Sequence, residues 1–144
     1  IYMSTTELKD LNDRLQKKYA AIEAAEQRSE DFMVDGAELI VVAYGIMSRV
    51  AKNAIEELRA KGRKVGMIRP ITLFPFPKKR MMAAAGKAKA FLAAEMSNGQ
   101  MVDDVRLAIE HKKPIDFYGM SGGAVPTVDD LVKAIEATYE KHIG

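Results

Sequence analysis

The chain has 144 residues, about one domain's worth, with 48% hydrophobic, 29% charged and 7% aromatic residues. That balance excludes a disordered, collagenous or coiled-coil-rod chain. The absence of cysteine excludes disulfides, thiolate zinc, Cys-ligated iron–sulfur clusters and thiol nucleophiles within it. The longest apolar run, Leu39 to Met47, falls well short of the roughly 18 residues of a membrane span. No basic-headed apolar stretch opens the chain as a secretory signal does, and a disulfide-free chain fits the cytoplasm.

The net charge of +2 hides a strong asymmetry. Residues 59–94 carry ten basic residues and no acidic one: Arg59, Lys61, Arg63, Lys64, Arg69, Lys78, Lys79, Arg80, Lys87 and Lys89. Such a block either attracts a phosphate-bearing ligand or an acidic partner, or folds onto several faces and pairs with acids from the flanking segments. Nucleic acid does not fit, because aromatics are not interleaved with the basic residues as a stacking platform requires.

The first thirty residues read as one helix. Ser4 and Glu7 have capping-box spacing, and Leu8, Leu11, Leu15, Tyr19 and Ile22 recur at three- and four-residue steps. So narrow a stripe needs something to lie against: its own domain, a copy of itself, or an upstream domain. Ile1-Tyr2-Met3 reads as an arrival from preceding sequence. Residues 1–30 are therefore assigned as an N-terminal linker helix and residues 31–144 as an α/β domain, together a piece of a longer subunit.

After Asp35-Gly36 strands and helices alternate. Leu39–Ala43 is a continuous apolar run, as in a strand buried on both faces. Gly45 breaks it, Ser48 is expected to cap, and Val50, Ala54, Ile55 and Leu58 carry a helix to Gly62. Val65–Ile68 is a second strand. Arg69 to Pro77 holds three prolines, which forbid regular structure until a short helix from about Lys78. Ala90–Ala94 is a third strand, Ser97-Asn98-Gly99 a turn, Met101–Ile109 a helix, and Ile115–Tyr118 a fourth strand. Thr127 caps a last helix with Leu131, Ile135 and Tyr139 inward. Repeats of this kind give a mostly parallel sheet covered on both faces, with Phe32-Met33-Val34 a candidate antiparallel edge.

Ligands in such sheets bind beyond the carboxyl ends of the strands. There, Gly45 to Arg49 runs into a helix whose N–H groups can hold an anion, with Ser48 and Arg49 beside them, or forms an ordinary capped turn. It is neither a dinucleotide fingerprint nor a P-loop. The Arg69–Pro77 loop, with Thr72, Phe74 and Phe76, is stiff and apolar, suited either to a contact surface or to packing over its own sheet. Arg69 is expected to pair with Glu95 at the end of the next strand, near Asn98 and Gln100. The catalytic inventory is thin. His111 and His142 fall near helix C-termini, as structural cations do. No nucleophile has a base at a recognisable spacing, and no metal-ligand pattern appears.

Five strings occur in order: Val42-Ala43-Tyr44-Gly45, Ser48-Arg49-Val50, Val65 to Pro77 (V-G-M-I-R-P-I-T-L-F-P-F-P), Ala94 to Met101 (A-E-M-S-N-G-Q-M), and Gly122-Gly123 with Pro126-Thr127. Together they resemble the C-terminal part of the α subunit of 2-oxoacid:ferredoxin oxidoreductases, the branched-chain or 2-oxoglutarate members in particular. The resemblance implies a three-layer α/β/α domain like the transketolase C-terminal domain, with a five-stranded mixed sheet. It also implies thiamine diphosphate, an iron–sulfur cluster and coenzyme A in the full complex, and none held by this chain. Other subunits, ferredoxin through the complex, and a possible homodimer are the partners. The chain is then an assembly and active-site-shaping domain, inactive alone. Gly45, Ser48, Arg49, Arg69, Thr72, Phe74, Phe76, Glu95, Asn98 and Gln100 are its candidate ligand- or interface-binding residues. The alternative is a free-standing module gripping a phosphate-bearing ligand such as coenzyme A.

Overall fold

A computed structural model describes residues 3–144; Ile1 and Tyr2, read above as part of an arrival from preceding sequence, lie outside the described residues. The elements run α1 (Thr5–Ala25), β1 (Ser29–Phe32), β2 (Leu39–Ala43), α2 (Gly45–Ala60), β3 (Val65–Pro70), α3 (Lys78–Ala85), β4 (Ala90–Glu95), α4 (Met101–Ala108), β5 (Ile115–Gly119) and α5 (Val128–His142). The sheet has the order β1-β3-β2-β4-β5, parallel throughout except for the antiparallel edge β1.

Strand alternation divides the core in two. Leu39, Val41, Ala43, Val65, Met67, Leu92 and Ala94 face α2 and α5, where Met47, Ile55, Leu131 and Ile135 meet them. Ile40, Val42, Ile68, Phe91 and Ala93 face α3 and α4, where Met81, Val102, Val105 and Ile109 complete the second layer. The central strands β2 and β4 are buried at every position, which explains their unbroken apolar sequence. The result is the three-layer α/β/α architecture expected.

Three expectations are corrected in detail. The antiparallel strand is Ser29–Phe32 rather than Phe32-Met33-Val34, and it runs across residue 30, the expected limit of the linker helix. The chain leaves the sheet at Met33, where φ is 51°, and the Met33–Val34 backbone then crosses Gly66 so closely that a Cβ there would lie 2.5 Å from the Met33 carbonyl oxygen. α2 begins at Gly45, not after Ser48. Ser48 is buried inside the helix and donates its hydroxyl to the Gly45 carbonyl at 2.8 Å, so it caps nothing. β3 extends through Arg69 to Pro70, which pairs with Ser29.

Ser4 accepts from the Glu7 N–H at 3.5 Å, which forms one half of the expected capping box, and Thr127 forms a full capping box with Asp130. His142 lies in the last turn of α5 with Nε2 3.1 Å from Asp116, and His111 lies three residues beyond α4.

α1 stands apart from both cores. None of its residues is buried. Its C-terminal half touches the body through Tyr19 edge-on to the Phe74 ring (6.3 Å between centroids), a Glu23–Lys78 ion pair and the Lys79 ammonium on the Ala24 carbonyl. Leu8 remains nearly half exposed. Among the described residues no helix is long and apolar enough to cross a membrane.

Candidate functional site: the carboxyl end of the sheet

The connections that follow β2, β3, β4 and β5 leave from the carboxyl ends of the parallel strands. The first is the entry into α2. Gly45 takes φ 58°, a left-handed conformation that suits glycine, and no neighbouring atom lies within 4 Å of where its Cβ would be. The early N–H groups of α2 have no intrahelical partner. Gly45, Ile46 and Arg49 line an open hollow of about 510 Å³ together with Tyr44, Arg69, Pro70, Ile71 and Leu73. The structure thus brings Gly45, Arg49 and Arg69 together, and leaves Ser48 buried behind them.

Arg69 does not meet Glu95. It pairs with Glu30, its cross-strand neighbour on β1, at 3.4 Å, and Lys52 from α2 reaches the same carboxylate at 2.7 Å. The Lys52 hydrogen bond and charge, seconded by Arg69, hold Glu30 below the ordinary glutamate range. Arg69 follows Val65 and Met67 in alternation and so stands on the α2 face, whereas Glu95 follows Phe91 and Ala93 onto the α3–α4 face. β2 also lies between them.

Glu95 serves its own loop. Fully buried, it accepts from the Ser97 hydroxyl (2.5 Å) and from the backbone N–H groups of Gln100 (3.2 Å), Met101 (2.9 Å) and Val102 (3.1 Å). A carboxylate at a helix N-terminus satisfies free donors and complements the macrodipole. Within the E-M-S-N-G-Q-M string Glu95 thus closes the start of α4, while Asn98 and Gln100 are exposed.

The proline-rich loop splits into two roles. Phe76 is 6% exposed and packs in the α3–α4 core, so its expected place on a binding surface is corrected. Phe74 is 69% exposed. Thr72 is a fastener: its hydroxyl donates to the Pro75 carbonyl at 2.8 Å and accepts the Arg28 N–H at 3.1 Å. The Ile71 and Thr72 N–H groups donate to the Arg28 carbonyl, tying the loop to the α1–β1 connection.

The basic block disperses. Arg59 binds the carbonyls of Met33 and Val65, Arg63 pairs with Glu136 and Glu140, Lys64 and Lys89 with Glu38, Lys78 with Glu23, and Arg80 with Asp31. Most partners come from the acidic flanking segments, which is why the block makes no single positive face. A hollow of about 360 Å³ lies at the opposite, amino end of the sheet between the Val34–Glu38 turn and α3, away from all ten candidate residues. Neither that hollow nor the stray apolar surface of Leu107 is signalled by any motif in the sequence.

A mixed five-stranded sheet with one antiparallel edge, layered between helices and open at its carboxyl end, defines a transketolase C-terminal-domain-like α/β/α domain. Residues 37–131 match the pyruvate:ferredoxin oxidoreductase core domain II, and the chain belongs to that family. It is 44% identical over 135 residues to the ketoisovalerate oxidoreductase subunit VorB of Methanothermobacter marburgensis, covering 94% of this chain and 38% of the relative. It is 34% identical over 99 residues to the 2-oxoglutarate synthase subunit KorA of Methanocaldococcus jannaschii, covering 69% of this chain and 26% of the relative. Among solved structures, the 2-oxoglutarate:ferredoxin oxidoreductase of Magnetococcus marinus superposes with a TM-score of 0.75 at 20% identity, over 95% of this chain and 24% of that one. A split-gene transketolase follows with a TM-score of 0.66 at 21% identity, over 78% and 41%. The chain thus spans little more than a third of the length of the VorB relative.

Proposed function

We propose that the chain is an assembly and active-site-shaping domain of a 2-oxoacid:ferredoxin oxidoreductase, of the kind that oxidatively decarboxylates a branched-chain 2-oxoacid to an acyl-coenzyme A with thiamine diphosphate. One observation supports the non-catalytic role: Glu95, the only buried carboxylate among the described residues, is engaged by the Ser97 hydroxyl and by N–H groups at the start of α4, which favours a structural role for it. In this reading thiamine diphosphate is held elsewhere in the complex, and a stretch without cysteine cannot ligate an iron–sulfur cluster through thiolates. Both groups belong to other parts of the complex in this reading, and the partners are its other subunits.

The test is co-expression with the remaining subunits, followed by 2-oxoacid- and coenzyme A-dependent ferredoxin reduction. The assembly should turn over 3-methyl-2-oxobutanoate, and the chain alone should not. Turnover by the isolated chain, or failure to associate, overturns the reading. A free-standing module for a phosphate-bearing ligand is the second reading, favoured by Arg49 and Arg69 in one hollow at the N-terminus of α2. Calorimetric binding of coenzyme A by the isolated chain would favour it.

A further inference from the structure

Ile46, Ile71 and Leu73, each about half exposed, line the hollow at the carboxyl end of the sheet, and the more exposed Phe74 follows directly in the chain. Three half-exposed aliphatic side chains sharing one hollow with two guanidinium groups offer both apolar and charged contacts to a partner. The proline-rich loop is also rigid. The paired N–H donations of Ile71 and Thr72 to the Arg28 carbonyl, with the Thr72 hydroxyl on Pro75, fix the segment before anything binds. Fixing it in advance lowers the ordering cost of association.

The charge of the hollow selects the occupant. Its lining contains two cations, Arg49 and Arg69, and no carboxylate, and the positive end of α2 opens on it. Arg69 is partly answered by Glu30. Arg49 is exposed and enters no ion pair among the described residues. A two-fold contact centred on this patch would bring like charges together across the axis. The patch therefore suits a different surface.

We propose that this hollow docks an apolar, carboxylate-bearing segment of another subunit of the oxidoreductase, seating aliphatic side chains among Ile46, Ile71 and Leu73 and a carboxylate on Arg49. The proposal rests on the assembly reading above and names the surface through which assembly occurs.

The test introduces Arg49→Glu and Leu73→Ser separately into the co-expressed complex, with Lys87→Glu at the amino end of the sheet as a charge-matched control. Affinity of the chain for the remaining subunits is measured by sedimentation at two salt concentrations, alongside thermal melts. Both variants should weaken association about tenfold or more with unchanged melting, the control should not, and salt should weaken the wild-type complex. Reversing the partner's carboxylate to Arg should rescue Arg49→Glu. Unchanged affinity in both variants would overturn this surface while leaving the assembly reading intact. Failure of the wild-type chain to associate would overturn both. Self-association abolished by Leu73→Ser would assign the hollow to a second copy, against the proposal.

Discussion

Arg69 and Glu95 lie at the same end of the sheet, yet their side chains leave it on opposite faces, Arg69 beside Glu30 and Lys52 and Glu95 beneath the first turn of α4. Two residues that look like partners in sequence therefore do separate work. One ties the antiparallel edge strand to β3 through Glu30, which Lys52 of α2 also reaches, and the other closes a buried helix terminus.

Removing the Glu95 carboxylate leaves the Met101 and Val102 N–H groups unanswered in the interior. Hydrogen bonds to charged groups contribute about 1.5–3 kcal/mol, and each orphaned buried donor costs about 1–3 kcal/mol. We expect Glu95→Ala to destabilise by about 3 kcal/mol, lowering the melting midpoint by roughly 6–12 °C for a chain of this size. Glu95→Gln should lie between it and wild type. Denaturant unfolding checks this, and a loss under about 0.5 kcal/mol for the Ala variant would show that the carboxylate does not hold the helix.

Acid should weaken the fold through the amino-end and α5 ion pairs. Burial alone would raise Asp116, but hydrogen bonds from Lys141 and His142 outweigh it and hold the carboxyl below its ordinary 3.8. The Tyr139 hydroxyl, then Lys89, likewise lowers Glu38 from 4.5. A depressed folded value means the unfolded chain binds protons first. The stability these groups add is complete above their ordinary values and is lost as pH falls below them toward the folded values. Asp104 acts in the opposite sense, because burial and the charges of Asp103 and Glu95 raise it. Unfolding free energy measured from pH 6 to pH 2.5 should fall toward the acid end, and Asp116→Asn should flatten that slope.

A methyl group at Gly66 has nowhere to go. Its Cβ would stand 2.5 Å from the Met33 carbonyl oxygen and 2.8 Å from the Val34 Cα, both backbone atoms that cannot swing aside. Gly66→Ala should cost about 1–3 kcal/mol, the usual range for overpacking. It should also release β1, seen as lost hydrogen-exchange protection at Ser29–Phe32 before the central strands. Equal protection in both proteins would mean that the crossing relaxes without freeing the edge strand.

The layered sheet was legible because its strongest signals are local: the unbroken run Leu39–Ala43, the Thr127 cap and the inward spacing of Val102, Val105 and Ile109 all repeat in three dimensions. What the sequence hid depends on face. Arg69 and Glu95 differ in strand parity, which the sequence shows only once the strand limits are known, and β3 runs two residues further than its apolar core. Phe32-Met33-Val34 is the most apolar part of its segment, yet hydrogen bonding places the strand on the polar Ser29-Glu30-Asp31-Phe32. A strand on the edge is half solvated and needs no apolar run. Ser48 had the composition of a cap, but the left-handed turn at Gly45 starts the helix one turn sooner.

Phe74 and Phe76 are two residues apart and should respond to mutation in opposite ways. Phe76 is buried against the α3–α4 core, and truncating a buried phenylalanine costs about 3–5 kcal/mol. Among the described residues Phe74 meets one aromatic ring, that of Tyr19, and is 69% exposed, so its loss forfeits an edge-on contact of about 0.5–1.5 kcal/mol. Phe76→Ser should therefore lower the melting midpoint substantially. Phe74→Ser should barely change it, while loosening the hold on α1, a 21-residue helix with no buried side chain that is otherwise held by the Glu23–Lys78 ion pair and the Lys79 ammonium on the Ala24 carbonyl. Limited proteolysis should then cut α1 faster in Phe74→Ser, and binding to the remaining subunits should weaken if α1 and the loop serve assembly together. Full binding by Phe74→Ser with intact protection of α1 would confine both elements to a role in the fold alone.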